Sequence, residues 1–317
     1  MTTNPGSPTH GALIWTDVLP EDFKSIRLSG CTLSSSSGAF GTICIQEFQS
    51  TNFSFRFNVF DIFQHFVLQN KREGSGFHSR ILLKGQINQQ LANKKWKLLP
   101  YQFSLLYADN PAIKETYERS LHISFDTSFS ANWINDILRL FPASQKNTER
   151  KFFLLPHQWA DMEIMELVQS ILQCKYEKEL RRHFWESRVR DLFFKMLMLS
   201  SAENTEEKEP SEKDMAAVNK AEHFISNDIS VHINIPDLSK KVLLNEFDLK
   251  RFFKKIFGVG LYEYLVRLRM KKAKQMLEAG SSVKEVAAGT GYRPTDFIVA
   301  FRQFYGFTPG SMKKKNS

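Results

Sequence analysis

The chain has 317 residues, 42% of them hydrophobic, and 43 Lys and Arg against 34 Asp and Glu give it a formal net charge of +9. That length and apolar content allow two or three core-forming units. Cys31, Cys44 and Cys174 are odd in number and widely spaced, and neither a signal-peptide pattern nor an apolar run of membrane-spanning length occurs, so a disulfide framework, a zinc knuckle, export and membrane insertion are all excluded as expectations.

In chain order, Met1 to Pro8 is rich in Thr, Pro, Gly and Ser and reads as disordered. From about Ala39 to Phe129 the apolar residues alternate: Ile43, Ile45 and Phe48, then Phe53, Phe55 and Phe57, then Phe66 to Gln69, Ile81 to Leu83, Leu98 to Leu106, and Leu121, Ile123 and Phe125. Turn-forming stretches at Asn70 to Gly76, Asn93 to Lys95 and Asp109 to Pro111 separate these short strands, which predicts an antiparallel barrel or sandwich over about 12–130. Phe53, Phe55, Phe57, Phe60, Phe63 and Phe66 are aromatic enough to line an apolar pocket, but their spacing makes a packed core the better expectation.

A metal-dependent enzyme in such a barrel would need histidines and a carboxylate converging on one cavity, and His65, His78, His122, Glu47 and Asp126 are the candidates. They form no His-x-His pair, although His122, Ser124 and Asp126 share one strand face. No phosphate loop, triad spacing or dinucleotide fingerprint occurs, so neither metal, cofactor nor catalysis is expected. The rival to be kept is a metalloenzyme barrel anchored by a basic domain.

Two helices follow within 131–200, at about Trp159 to Cys174 and Glu177 to Leu199. Trp159, Met162, Met165, Val168 and Leu172 recur at helical spacing, as do Leu180, Phe184, Leu192, Met196 and Leu199. Ser201 to Asp214, with Glu203, Glu206, Glu207, Glu209 and Pro210, is polar and acidic and reads as the linker between an N-terminal domain of 1–200 and a C-terminal one of 215–317.

The last hundred residues contain one unit twice. Phe253-Lys254-Lys255-Ile256-Phe257-Gly258 returns as Phe301-Arg302-Gln303-Phe304-Tyr305-Gly306, and the same 48-residue offset relates Leu249 to Phe297, Leu238 to Val286 and Ser239 to Ala287. Each copy predicts a short helix, a turn and a second helix: Ile235, Leu238, Ser239 and Val242, then Leu249, Phe252, Phe253 and Ile256; Val283, Val286, Ala287 and Thr290, then Phe297, Ala300, Phe301 and Phe304. Ser239 and Ala287 are small where two helices cross steeply, as in a helix-turn-helix. A connecting helix is predicted from about Leu261 to Glu278, with Tyr264, Leu265, Leu268, Ala273, Met276 and Leu277 as its apolar seam and Arg267, Lys271, Lys272 and Lys274 outside.

Charge separates this region from an ordinary helical bundle. From Asp214 to Ser317 there are 18 Lys and Arg and 10 Asp and Glu, which places +8 of the +9 here, including Lys313-Lys314-Lys315 at the tail. Such a field suits a polyanion, and double-stranded DNA is the expected partner.

Residues 216–312 resemble the DNA-binding domain of AraC-type transcription regulators. The resemblance rests on Leu249 to Gly258, on Tyr264-Leu265 leading to Arg267-Leu268-Arg269-Met270 and Ala273, on Val286-Ala287 before Gly291-Tyr292, and on Phe297 to Phe301 before Gly306-Phe307-Thr308-Pro309. It implies two helix-turn-helix units on one long helix, and a barrel of the cupin type before them that binds an effector. It also implies a bacterial, cytoplasmic regulator, most commonly an activator contacting RNA polymerase. The run Ile171 to Tyr176, with Leu180-Arg181-Arg182 and Glu186 to Leu192, is similar to the effector domain of a siderophore-responsive branch, which implies an iron chelate as effector and a helical homodimer seam. The expected fold class is therefore α+β. A DNA-binding regulator governed by a protein partner or by abundance, without small ligand, is the alternative.

With Leu249, Phe253 and Ile256 turned inward, Phe247, Lys250, Arg251 and Lys254 share the opposite helical face and are expected to enter a major groove. Arg251 suits guanine, Lys250 a base or phosphate, Phe247 a thymine methyl and Lys254 the backbone. In the second copy the matching positions are Thr295, Ile298, Val299 and Arg302, with Arg293 and Asp296 at the entrance. That face is poor in donors and is expected mainly to hold phosphate through Arg293 and Arg302. Two departures from the family are expected to matter: Leu243-Leu244 occupies a turn where glycine is common, so the turn is expected to be built differently, and the second copy is one residue shorter than usual between Gly291 and Phe301.

Overall fold

A computed structural model of the chain describes residues 5–72, 74–140, 152–155, 157–201 and 209–313, and these divide into two units, Met1–Asn204 and Thr205–Ser317. Among the described residues no helix is long and apolar enough to cross a membrane.

The N-terminal unit is layered, helices on sheet on sheet. The larger antiparallel sheet joins β1 (Thr32–Gly38), β2 (Gly41–Gln49), β3 (Phe53–Ile62), β10 (Ser120–Ser130), β5 (Ser75–Lys84), β8 (Gln102–Asp109) and β11 (Phe152–Leu154) in that order, with β12 (Gln158–Trp159) also on β8. The smaller one is β4 (Phe66–Lys71), β9 (Ala112–Tyr117), β6 (Ile87–Leu91) and β7 (Lys94–Leu98). Alternation gives the large sheet two buried faces. Phe53, Phe55, Phe77, Phe103, Phe125 and Phe129 pack against α1 (Ala131–Leu138), α2 (Met162–Leu172) and α3 (Lys178–Ser201), while Ile43, Phe60, Ile62, Leu82 and Leu106 meet Phe66, Leu68, Trp96, Leu98 and Tyr117 of the small sheet. The six phenylalanines weighed as a pocket lining are thus divided among separate clusters, and Phe63 is exposed.

Several expectations need correction. Trp159 lies in β12 opposite Gln102, and the helix predicted from it starts at Met162 because the Asp161 carboxylate accepts from the Ile164 N–H at 3.0 Å. Met1 to Asn4 lie outside the described residues, but Gly6 pairs with Gln69 and the Ser7 hydroxyl donates to Val67 O at 2.7 Å, so Gly6 and Ser7 are bound to β4. Residues 202–208 of the acidic segment also lie outside the described residues. Its far end is helical, since Ser211 and Asp214 form a capping box on α4 (Glu212–Asn227).

In the C-terminal unit the 48-residue offset holds for the starts of both helix pairs, for the caps of the first helices and for the glycine ends of the second. α5 (Ile235–Val242) and α6 (Glu246–Phe257) are followed by the connecting α7 (Leu261–Glu278), and α8 (Val283–Gly289) and α9 (Pro294–Tyr305) repeat the pair before α10 (Pro309–Lys313). Asn234 and Ser282 cap the first helices, each accepting from the N–H three residues on, and Gly258 and Gly306 end the second helices in the left-handed conformation. The apolar stripes fall where the spacing places them, with Leu249, Phe252, Phe253 and Ile256 fully buried and Phe297 and Phe301 likewise. Phe304 is the exception, 44% exposed, because Tyr305 turns inward instead and its hydroxyl donates to Met270 O at 3.1 Å.

The first turn is not built differently from the second. Leu243 adopts φ 58°, ψ 40°, and its counterpart Gly291 has φ 72°, so leucine carries a left-handed backbone that costs about 1–2 kcal/mol for a residue with a Cβ. Its side chain is 82% exposed and contributes no core. Leu243→Gly is therefore expected to stabilise the C-terminal unit by about 1 kcal/mol, allowing for the greater freedom of glycine in the unfolded chain. Denaturant unfolding of the full chain followed at 222 nm checks this, and an unchanged or lowered midpoint for the helical transition refutes it.

Candidate nucleic-acid interface

The second helix of each pair presents its polar side outward because the other side is fixed in the core. In α6, Asn245 caps the start by accepting from the Asp248 N–H at 2.9 Å, and Phe247 is 70% exposed at the first turn. Lys250 and Lys254 follow on the exposed side, Lys250 lying 3.6 Å from Glu246 one turn back. Arg251 is only half-buried. It donates to Asp248, and its guanidinium lies 5.3 Å from the Phe247 ring centre and 4.6 Å from that of Phe252. The structure thus brings all four residues named from the sequence onto one helix, with Arg251 tied back to a carboxylate. Asp248 was not singled out by sequence, although its place three residues before Arg251 is the ordinary spacing for a helical ion pair.

In α9, Pro294 occupies the first turn and Arg293 stands immediately before it. Arg293, Thr295, Asp296, Ile298, Val299 and Arg302 are all exposed, Ile298 at 40% and Val299 at 56%. The surface therefore carries two exposed branched aliphatic side chains between two arginines, an arrangement that can touch both methyl groups and phosphates. Of the tail Lys313-Lys314-Lys315, the last two lie outside the described residues.

On α7 the cations read as available divide. Arg267 pairs with Glu263 at 2.8 Å, and Lys274 lies 4.0 Å from Glu278 and 5.8 Å from the Tyr305 ring centre. Sequence reasoning passed over Arg269, which is 7% exposed and turned into the unit. The signal was its position, on the same helical line as Leu265, Ala273 and Leu277, where a charged residue has to find buried partners.

The histidines weighed as metal ligands are dispersed. His65 meets Glu118 at the surface, His122 lies against Glu118 O at 2.8 Å, and His78 lies against the Ser128 hydroxyl at 3.0 Å. Asp126 accepts from Arg80 and Arg72. Among the described residues no group of three His, Cys, Asp or Glu is placed to hold a metal ion.

Residues 238–315 match the model of a family described as a helix-turn-helix domain. The chain is 28% identical over 109 residues to the Msm operon regulatory protein of Streptococcus mutans, a match covering 34% of this chain and 39% of that protein. It is 29% identical over 98 residues to the regulatory protein PocR of Salmonella typhimurium, covering 30% of this chain and 32% of PocR. It thus spans about two fifths of the length of the first relative and about a third of the second. Among solved structures it is similar to unsaturated fatty acid-bound ToxT from Vibrio cholerae, at 14% identity, TM-score 0.33 and coverage of 83% of this chain and 95% of that one. It is also similar to the C-terminal domain of the response regulator yesN from Fusobacterium nucleatum, at 29% identity, TM-score 0.29 and coverage of 30% and 96%.

Proposed function

We propose, from the premise that residues 238–315 are an AraC-type helix-turn-helix domain, that the chain is a cytoplasmic, sequence-specific transcription regulator that reads bases with α6 and holds phosphate with α9. The observation that carries this reading is the outward side of α6, where Phe247, Lys250, Arg251 and Lys254 lie opposite a core made by the same helix. Arg251 donates in parallel to guanine after exchanging Asp248 for the base, Lys250 reaches a base or phosphate, Phe247 packs on a thymine methyl and Lys254 meets the backbone. On α9, Arg293 and Arg302 hold phosphates, Thr295 supports them, and Ile298 and Val299 face thymine methyls. One chain with a reader at each end of α7 engages successive major grooves, which recur about every 34 Å along the duplex.

Genomic fragments captured on the purified full-length protein at fixed salt test this. A few intergenic sites are expected to be enriched, and Arg251→Ala and Lys250→Ala are each expected to weaken them by about 1–3 kcal/mol, roughly 5- to 150-fold. Uniform, salt-sensitive retention indifferent to both substitutions would remove α6 as a base reader.

Activation through contact with RNA polymerase is the mode the AraC type supports. For control, the space between the two sheets bears on the choice. Its cavity, lined by Arg72, His78, Arg80, Gln89, Trp96 and Glu115, measures about 20 Å³, room for a single water, whereas ligand pockets begin near 300 Å³. An iron chelate does not fit there, whereas an open hollow of about 360 Å³ on α2 and α3, lined by Glu163, Glu166, Arg188, Asp191 and Lys195, is of ligand size; the second reading is a regulator answering to a protein partner or to its own abundance. A homodimer through the N-terminal unit is supported by α3. Leu180, Phe194 and Met198 lie on its outer side, 69%, 37% and 50% exposed, an apolar surface interrupted by Ser187 and Asp191. Light scattering on the same preparation separates a dimer from the 36.8 kDa monomer.

A further inference from the structure

The two helix-turn-helix units meet at one buried guanidinium. Arg269, midway along α7, donates from Nε to Ile229 O at 2.6 Å and from Nη2 to Ser230 O at 3.1 Å and Val231 O at 3.2 Å. Ile229 to Val231 belong to the loop that leads into α5, the first helix of the first unit. The other face of the same guanidinium lies 5.0 Å from the ring centre of Tyr292, in the turn of the second unit. Next to it, Gly291 approaches so closely that a Cβ there would sit 2.1 Å from Ser230 O and 2.9 Å from Arg269 Nη2. The loop itself is held in place by Asp228, whose carboxylate accepts from the Ser230 N–H at 3.0 Å and from its hydroxyl at 2.6 Å.

A single helix such as α7, of 18 residues and so about 27 Å long, fixes the separation of the units along its axis but leaves their rotation about it to side-chain packing. Three carbonyls from one unit and an aromatic face from the other, converging on one fork-shaped cation, remove that freedom. Lysine cannot replace the arrangement, because a point charge does not present several donors in a fixed plane.

We propose that Arg269, with Gly291, is the positioning element that locks the two recognition helices into one rigid reader, and so sets which spacing between DNA half-sites the protein accepts. This deepens the reading that both α6 and α9 engage DNA and rests on it, in particular on Ile298 and Val299 facing thymine methyls, since phosphate contacts alone would tolerate any spacing. Arg269 touches no DNA in this scheme, and its effect is on geometry alone.

The test uses the full chain and an operator obtained from the fragment capture, in which one or two base pairs are inserted between the half-sites. One inserted pair moves the second half-site by about 3.4 Å along the axis and rotates it about a tenth of a turn. For the wild type this is expected to cost more than about tenfold in affinity, the equivalent of one lost base contact. In Arg269→Gln and Gly291→Ala the same insertion is expected to cost less than about threefold, while binding to the first half-site alone stays within about twofold of wild type. Circular dichroism reports folding, and should Arg269→Gln not fold, Arg269→Lys takes its place. Folded variants that keep the wild-type spacing profile overturn the clamp, as do variants that weaken equally at every spacing, which is the signature of a merely structural residue. A wild type indifferent to insertion overturns the two-helix reading itself, and the clamp with it.

Discussion

Asp126→Ala is expected to cost the N-terminal unit about 3–5 kcal/mol, the range for removing one partner from a buried ion pair. Asp126 is fully buried on β10, where the register sets it between Arg56 of β3 and Arg80 of β5. Arg80 donates to both its oxygens, at 2.8 and 2.6 Å, Arg72 donates at 2.9 Å and the Ser124 hydroxyl at 3.2 Å. From the facing sheet Glu115 meets Arg80 at 2.7 Å, and at the other end of the row Glu47 meets Arg56 at 3.0 Å. The three arginines and three carboxylates balance, so the network is neutral as a whole but not after any single deletion. Alanine leaves Arg72, 8% exposed, without its only carboxylate partner in this set. Burial pushes the Asp126 carboxyl up, but Arg80, then Arg72 and Arg56, outweigh it and hold it below the usual carboxylate range. A depressed carboxylate stabilises the fold above its unfolded-state value and loses that contribution as pH falls through its folded value, so the effect of the substitution should be full at pH 7 and shrink below about pH 4. Urea unfolding followed by tryptophan fluorescence measures this directly, since all five tryptophans lie in the N-terminal unit. A cost under about 1 kcal/mol would mean that the network is no more than a surface pair.

That network shows where reading from sequence stops. The C-terminal unit was legible because a helix-turn-helix is specified locally: core positions three and four residues apart, an Asn or Ser cap and a glycine end each leave a mark within a few residues, and the 48-residue repeat doubles the signal. Arg56, Arg80 and Asp126 leave no such mark. On an alternating strand they occupy the positions that ordinarily face water, and they are buried only because β4, β9, β6 and β7 cover that face, a long-range pairing with no local trace. Arg269 was hidden for a related reason, since a charge on an apolar stripe looks like an interruption until the carbonyls it serves, some forty residues earlier, are in place. In the interface, the outward faces of α6 and α9 could be read from periodicity. The tie between Arg251 and Asp248 has the spacing of a helical pair, but spacing alone does not say whether Arg251 turns to that carboxylate or to the outer face.

His78→Gln is expected to flatten the acid limb of the same unit. His78 lies on β5 opposite Ser128 of β10 and Leu106 of β8, 7% exposed, and shares its cavity with Arg72, Arg80 and Glu115. Burial, and then the positive charge of Arg72, push its imidazole down to about 3. The folded protein therefore keeps His78 neutral at pH values where the unfolded chain protonates it. With the folded value depressed, the stability this neutral ring permits is complete above about pH 6.5 and declines below it, by up to about 1.4 kcal/mol per pH unit, reaching about 2 kcal/mol at pH 5. His122, also lowered by burial, adds a contribution of the same sign. Asp161, raised by burial, works in the opposite direction, and because it is present in both proteins it cancels in the comparison of His78→Gln with wild type. Glutamine keeps a polar group beside the Ser128 hydroxyl and cannot take a proton. Its unfolding free energy should fall less steeply than wild type's across that interval, by about one proton's worth, whatever its value at pH 7. A wild-type profile that is flat from pH 6.5 to 5 would show that the folded protein accommodates a protonated His78 among Arg72, Arg80 and Glu115.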